Sequence, residues 1–252
     1  MNNNLTKTML VQVTKAITNF KLIDPGDKVV VGISGGKDSN SLLYCLNMYR
    51  RRYLNKIPFE LQAVHLDMGL GSDLAPLKEY CRRLEVPLTI KKTDIATIIF
   101  DIRKEKNPCS LCANLRRGAL HNEVKELGFN KVALAHHLDD VMETFFMSMI
   151  FNGNIKTFSP KTYLDRIDLT LIRPFVYTTE EQIINLLTMA EIPVIENPCP
   201  ANKKTKREEI KNLVADLAQQ YPDIRQKFLT SLHNFDAKNL WPRMENKNGR
   251  WS

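Results

Sequence analysis

The chain reads as an α/β protein: a doubly wound, five-stranded parallel sheet followed by a basic helical tail. Three observations predict this. Short runs rich in β-branched residues alternate with longer stretches of helical spacing. A glycine pair marks the first strand-to-helix junction. The 252 residues, 43% of them apolar, suffice for one sizeable core.

The elements follow in order. Leu5, Met9, Val13, Ala16, Ile17 and Phe20 recur at helical spacing, so residues 4–21 form an amphipathic helix. Asp24-Pro-Gly-Asp27 is a turn. Residues 28–34 are a buried strand, and 38–53 return to helical spacing through Leu42, Leu43, Leu46 and Tyr49. Strand 61–67, helix 73–84 and strand 87–90 continue the alternation. Helix 110–127, strand 131–136, helix 139–151, strand 169–172 and helix 179–190 complete it. Three parts result: an N-terminal helix (1–24), the α/β domain (25–200) and the tail (201–252). In such sheets ligands sit outside the carboxyl ends of the strands, where strand order reverses.

Composition narrows the partners. A charged fraction of 25% with this apolar share excludes wholesale disorder. Lys and Arg number 36 against 28 Asp and Glu, a net charge of +8 that favours a polyanionic partner. The five cysteines are too scattered for a disulfide framework. No apolar stretch approaches the ~18–20 residues of a membrane span. No basic-then-apolar leader opens the chain. The expectation is a soluble, cytoplasmic protein with no membrane partner.

Ser34-Gly-Gly-Lys-Asp-Ser39 follows the first strand and opens a helix. Gly35 and Gly36 let the backbone turn tightly and approach a ligand. The N–H groups beyond them lie at a helix N-terminus, where the dipole favours anions. Ser34 and Ser39 add hydroxyls, and Lys37 adds a point charge. Asp38 would repel phosphate without an intervening cation, so Mg²⁺ is expected there. The glycine-to-lysine spacing is not that of a Walker loop. The hexapeptide resembles the signature of the PP-loop ATP pyrophosphatases, which adenylate a carbonyl oxygen. That resemblance implies an adenine-nucleotide α-hydrolase-like fold and ATP as a substrate. It also implies that His65, Asp67 and Met68, at the end of the second strand, receive adenine and ribose.

His136-His-Leu-Asp-Asp140 ends the fourth strand and resembles the His-x-x-Asp-Asp element of tRNA-modifying members. Carboxylates at a helix start are stabilised by its dipole. Asp140 is the candidate for a second metal or ribose contact. His137 is the candidate for phosphate contact or proton transfer. Helix capping is the competing role for Asp139 and Asp140.

Cys109 and Cys112 form a Cys-x-x-Cys pair, and Cys199 lies far downstream. A zinc site lacks a fourth ligand, and a redox dithiol leaves Cys199 unexplained. Three thiolates suit an iron–sulfur cluster with one iron open to exogenous sulfide. From the residues alone, these readings and chance occurrence of Cys199 stay open. Residues 109–118 then resemble the tRNA 2-thiocytidine synthetase (TtcA) group, as does Ile172-Arg-Pro174. The resemblance covers most of residues 25–200. It implies that Cys109, Cys112 and Cys199 hold a 4Fe–4S cluster. Cys45 and Cys81 are read as structural.

The activity implied is ATP-dependent tRNA thiolation, with Lys37, Asp38 and Asp140 as catalytic residues. Sulfide or a cysteine desulfurase persulfide would be the sulfur donor. Residues 203–252 hold 11 Lys and Arg against 6 acids. Arg116, Arg117, Lys203, Lys204, Lys206 and Arg207 are candidate tRNA contacts, with Arg50-Arg-Arg52 as a further group. A homodimer is possible, with the N-terminal helix as its contact. Two alternatives remain at this stage: a tRNA-Ile lysidine synthetase-like ligase, and a non-enzymatic nucleotide- or cluster-binding switch.

Overall fold

The computed structural model describes residues 3–103, 108–195, 199, 206–236 and 238–241. Strands are β1 (Lys28–Gly32), β2 (Glu60–Asp67), β3 (Leu88–Lys92), β4 (Lys131–Ala133), β5 (Lys161–Leu164) and β6 (Leu169–Ile172). Helices are α1 (Asn3–Phe20), α2 (Lys37–Arg52), α3 (Ala75–Leu84), α4 (Pro108–Glu126), α5 (Leu138–Asn152), α6 (Glu180–Met189), α7 (Lys206–Gln220) and α8 (Ile224–His233). A π-helical turn covers Thr97–Ile102.

Strand order is β3-β2-β1-β4-β6-β5. Every pairing is parallel except β5 with β6. The sheet thus has six strands where the sequence predicts five. The extra one, β5, is four residues on the edge, with no residue buried. It carries no alternation strong enough to announce itself, and its pairing depends on β6 rather than on its own residues. The predicted fifth strand is β6, with the same bounds, 169–172.

From β1 the chain runs outward to β2 and β3, then returns to β4 on the other side. The carboxyl ends of β1 and β4 therefore flank the switch point, where a crevice opens. Successive β1 residues face opposite cores. Val29 and Val31 join the larger core with α1, α2 and α6, while Val30 joins a smaller one with Val64, Val124 and Val132.

Met9, Leu10, Val13, Ala16 and Ile17 of α1 are buried in the larger core. The apolar face of α1 is therefore used within the chain, and a dimer contact through it would have only its outer face. Helices α7 and α8 each bury part of one face. Ile210, Val214 and Phe228 are buried, and Phe228 packs on Phe145 and Phe146 of α5 at 5.1 and 6.3 Å between ring centroids.

Candidate functional site

The phosphate loop is built between β1 and α2. Gly35 sits at φ +84°, and a Cβ there would meet Ile195 Cβ at 3.1 Å. Ile195 N–H donates to Gly35 O at 2.9 Å, so the chain after α6 is seated on the loop. Ser39 Oγ accepts from Ser34 N–H and donates to Gly36 O, both at 3.1 Å. Gly36 N–H donates to Ser34 Oγ at 3.3 Å. Asn40, fully buried, donates from Nδ2 to Gly35 O at 3.1 Å and to Pro193 O at 2.8 Å. These bonds hold the loop closed with α2's N-terminal N–H groups directed outward.

Lys37 Nζ pairs with Asp38 at 2.7 and 2.9 Å and with Glu180 at 3.0 Å. Burial works to lower the Lys37 pKa, but the two carboxylates outweigh it and hold it raised. Burial works to raise Glu180, but Lys37 and Lys211 bring it down to about 2.

The end of β4 adds the second half of the crevice. Asp140 N–H donates to His137 Nδ1 at 3.4 Å, and His137 N–H donates to Asp140 Oδ2 at 2.9 Å. This reciprocal cap starts α5. His137 Nε2 lies 3.8 Å from Asp38 Oδ1 and 3.4 Å from Asp140 Oδ2. Lys37, Asp38, His137 and Asp140 are thus brought together. Both Asp140 oxygens are engaged, because Arg207 Nη2 lies 2.5 Å from Oδ1. Arg207 also pairs through Nε with Glu143 at 2.8 Å. Asp139 accepts from Glu180 N–H and from Arg225 Nε, both at 2.7 Å.

His136, beside the cap, is half-buried. Arg173 Nε donates to its Nδ1 at 3.2 Å, which leaves the proton on Nε2. Burial brings its pKa down to about 4, with Asp140 opposing.

At the end of β2, His65 is buried and donates from Nδ1 to Ile33 O at 2.9 Å. Burial lowers its pKa, so it stands as a neutral brace of the loop's base. Asp67 Oδ1 accepts from Gly69 N–H at 2.9 Å, and Met68 O accepts from Ala96 N–H at 3.4 Å.

Cys109 and Cys112 lie in the first turn of α4, exposed and half-buried respectively, and Cys199 is half-buried. Burial raises the Cys112 pKa. Cys199 and Cys109 add to this by charge interaction, and Arg116 opposes it. Arg116, midway along α4, adds a small charge effect that also lowers the His65 pKa. Cys199 follows Ile195 by four positions, a reach of at most ~14 Å from the loop contact. The donor set is three soft thiols, which fits iron–sulfur chemistry. Among the described residues no three His, Cys, Asp or Glu side chains close on a site for a metal ion.

The candidate RNA contacts divide. Arg116 is half-buried and Arg117 exposed on α4. Lys203 and Lys204 lie outside the described residues. Lys206 Nζ stands 4.6 Å from the Phe151 ring centroid. Arg207, expected on RNA, is committed to Asp140 and Glu143. Arg50, Arg51 and Arg52 end α2, a helix of 16 residues. They therefore lie about 20–23 Å along its axis from the phosphate loop. Asn40 and Glu180 were not anticipated. A run of three buried polar residues, Ser39 to Ser41, opening an otherwise apolar face, is the signal that marks the first. The sequence carries no signal for the second, whose partner lies 143 residues away.

A glycine-pair cradle at the switch point of a parallel sheet, closed by a histidine-capped acidic helix start, defines a nucleotide-binding protein of the PP-loop class. The family model described as a PP-loop domain matches residues 5–218. The tRNA-cytidine(32) 2-sulfurtransferase of Pelobacter propionicus is 38% identical over 90% of this chain and 86% of its own. That of Coxiella burnetii is 36% identical, over 93% and 92%. The chain belongs to the PP-loop family, within the group whose members are named tRNA-cytidine(32) 2-sulfurtransferase. Among solved structures, the U34-tRNA thiolase NcsA from Methanococcus maripaludis, with its 4Fe–4S cluster, shares the fold. Its TM-score is 0.73 at 24% identity, over 92% of this chain and 80% of that one.

Proposed function

We propose that the chain is an ATP-dependent tRNA sulfurtransferase that replaces the 2-oxo group of an anticodon-loop cytidine with sulfur. The observation that supports this reading is the seating of Ile195 on Gly35, four positions before Cys199 in the sequence.

ATP phosphates meet the N–H groups at the start of α2, the hydroxyls of Ser34 and Ser39, and Lys37. Mg²⁺ would enter with ATP, held by phosphate oxygens and Asp38. Adenosine lies toward His65, Asp67 and Met68. The cytidine O2 attacks the α phosphorus, and pyrophosphate departs with the electron pair of the broken P–O bond. The oxygen of C2 is then a good leaving group. Sulfide adds to C2 through a sulfur lone pair and gives up its proton, the C2–O bond breaks, and AMP leaves with the electron pair. A persulfide donor would first have to be reduced to sulfide by a thiol. The chain's contribution is positioning and charge neutralisation. A 4Fe–4S cluster on Cys109, Cys112 and Cys199 would supply an iron free of protein ligands and open to sulfur.

Arg116, Arg117, Lys203, Lys204 and Lys206 are the proposed tRNA phosphate contacts. A homodimer would leave the buried face of α1 undisturbed. Among the described residues no helix is long and apolar enough to cross a membrane, which suits work on tRNA in the cytoplasm.

The test is mass spectrometry of tRNA nucleosides from cells carrying each variant, with iron content of the protein purified without oxygen. Lys37→Ala should abolish 2-thiocytidine and AMP formation while iron stays bound. Cys199→Ala should lose iron and thiolation while ATP binding persists. Full thiolation by Lys37→Ala would refute the assignment. So would colourless wild-type protein that consumes ATP with tRNA and lysine.

A further inference from the structure

α7 reaches the nucleotide crevice with two cations. Arg207 forks across Asp140 and Glu143, at 2.5 and 2.8 Å. One turn on, Lys211 Nζ lies 3.0 Å from Glu180 Oε1, the same oxygen that holds Lys37 at 3.0 Å. Ile210 and Val214 are buried on the face between, so packing fixes the helix while these cations turn toward the acids.

The charge balance explains why they are needed. Asp38, Asp139, Asp140, Glu143 and Glu180 crowd the place where a polyphosphate is to bind. Lys37 alone cannot offset five carboxylates, and Arg225 serves Asp139. Glu180 is shared between two lysines. When phosphate draws Lys37 away, Lys211 remains on Glu180, so that carboxylate keeps a cation at the crevice wall.

We propose that Arg207 and Lys211 are positioning residues for the nucleotide step, and that the face of α7 carrying them is a wall of the ATP site rather than an RNA contact. Arg207 keeps Asp140 and Glu143 neutralised. Lys211, acting through Glu180, sets Lys37 free to move onto phosphate. This rests on the reading of the crevice as an ATP site.

The test measures binding of Mg²⁺ with α,β-methylene-ATP, and separately of tRNA across a salt series, to the full chain. Arg207→Met and Lys211→Met should each weaken nucleotide binding at least about tenfold. That is the scale of one unit charge some ~10 Å away at an effective dielectric of about 20. Lys227→Met, which removes a cation paired outside the crevice with Asp223, should change nothing. Arg207→Lys should recover part of the loss. In a Glu180→Gln background, Lys211→Met should have little further effect, an outcome that a general loss of stability would not produce. The tRNA affinity and its salt slope should stay at wild-type values throughout.

Unchanged nucleotide affinity in Arg207→Met and Lys211→Met would overturn the proposal. So would a tRNA salt slope reduced by about 1 in Arg207→Met with nucleotide binding intact, the mark of a lost phosphate contact. Wild-type protein that binds no nucleotide would overturn this proposal and the ATP reading together. Should Arg207→Met fail to fold, Arg207→Lys and Lys211→Met decide the question.

Discussion

At Gly35 two constraints coincide. The backbone stands at φ +84°, and a Cβ would press on Ile195 at 3.1 Å. Gly35→Ala should therefore cost about 1–3 kcal/mol in a urea titration. Nucleotide binding should fall further than stability does, because the loop must shift to relieve the contact. His136 offers a second measurable effect. Its folded pKa, about 4, lies below the unfolded value of about 6.5. The unfolded chain thus binds the proton first. The stability this adds is complete above about pH 6.5 and is lost as pH falls toward 4. A His136→Gln variant should show a flatter stability profile across that window, and an unchanged profile would refute the assignment. Lys37, Asp38, His137 and Asp140, which the structure brings together, were legible as candidates because each lies in a short motif beside a strand end. Their partners were not. Arg207 reads from sequence as an RNA contact, Glu180 and Arg225 carry no signal at all, and only packing brings their charges inward.

The cap of α5 shows how one element serves two ends. His137 satisfies the Asp140 N–H and at the same time stands between Asp140 and Asp38. The helix start is therefore fixed by the groups that line the crevice. β5 shows the opposite limit of sequence reading. Lys161–Leu164 has neither the burial nor the alternation of a strand, and it becomes one because β6 offers an unpaired edge. α8 is tied to α5 by Phe228, in contact with the Phe145 and Phe146 rings. Phe228→Ala should destabilise the chain by about 3 kcal/mol in the same titration. Because α8 carries Arg225, that variant should also loosen Asp139, read as weaker nucleotide binding.

For the whole molecule, the net charge of +8 sets the long-range term. Binding of tRNA should weaken by about a thousandfold or more between roughly 50 and 200 mM salt if six or more phosphates are met. An affinity flat over that range would count against the basic surface. The alternation of strand and helix, the glycine-pair loop, the acidic helix start and the three outlying cysteines were all determined by the sequence alone. Each is written in neighbouring residues, where propensity and spacing act without knowledge of the rest of the chain. Tertiary structure alone decided that a sixth strand pairs at the edge and that Ile195 closes on Gly35. It also decided that α7 turns its cations to the crevice instead of to solvent. These depend on which distant segments meet. Opposite charges far apart in sequence pair only after the buried apolar faces have set the helices in place.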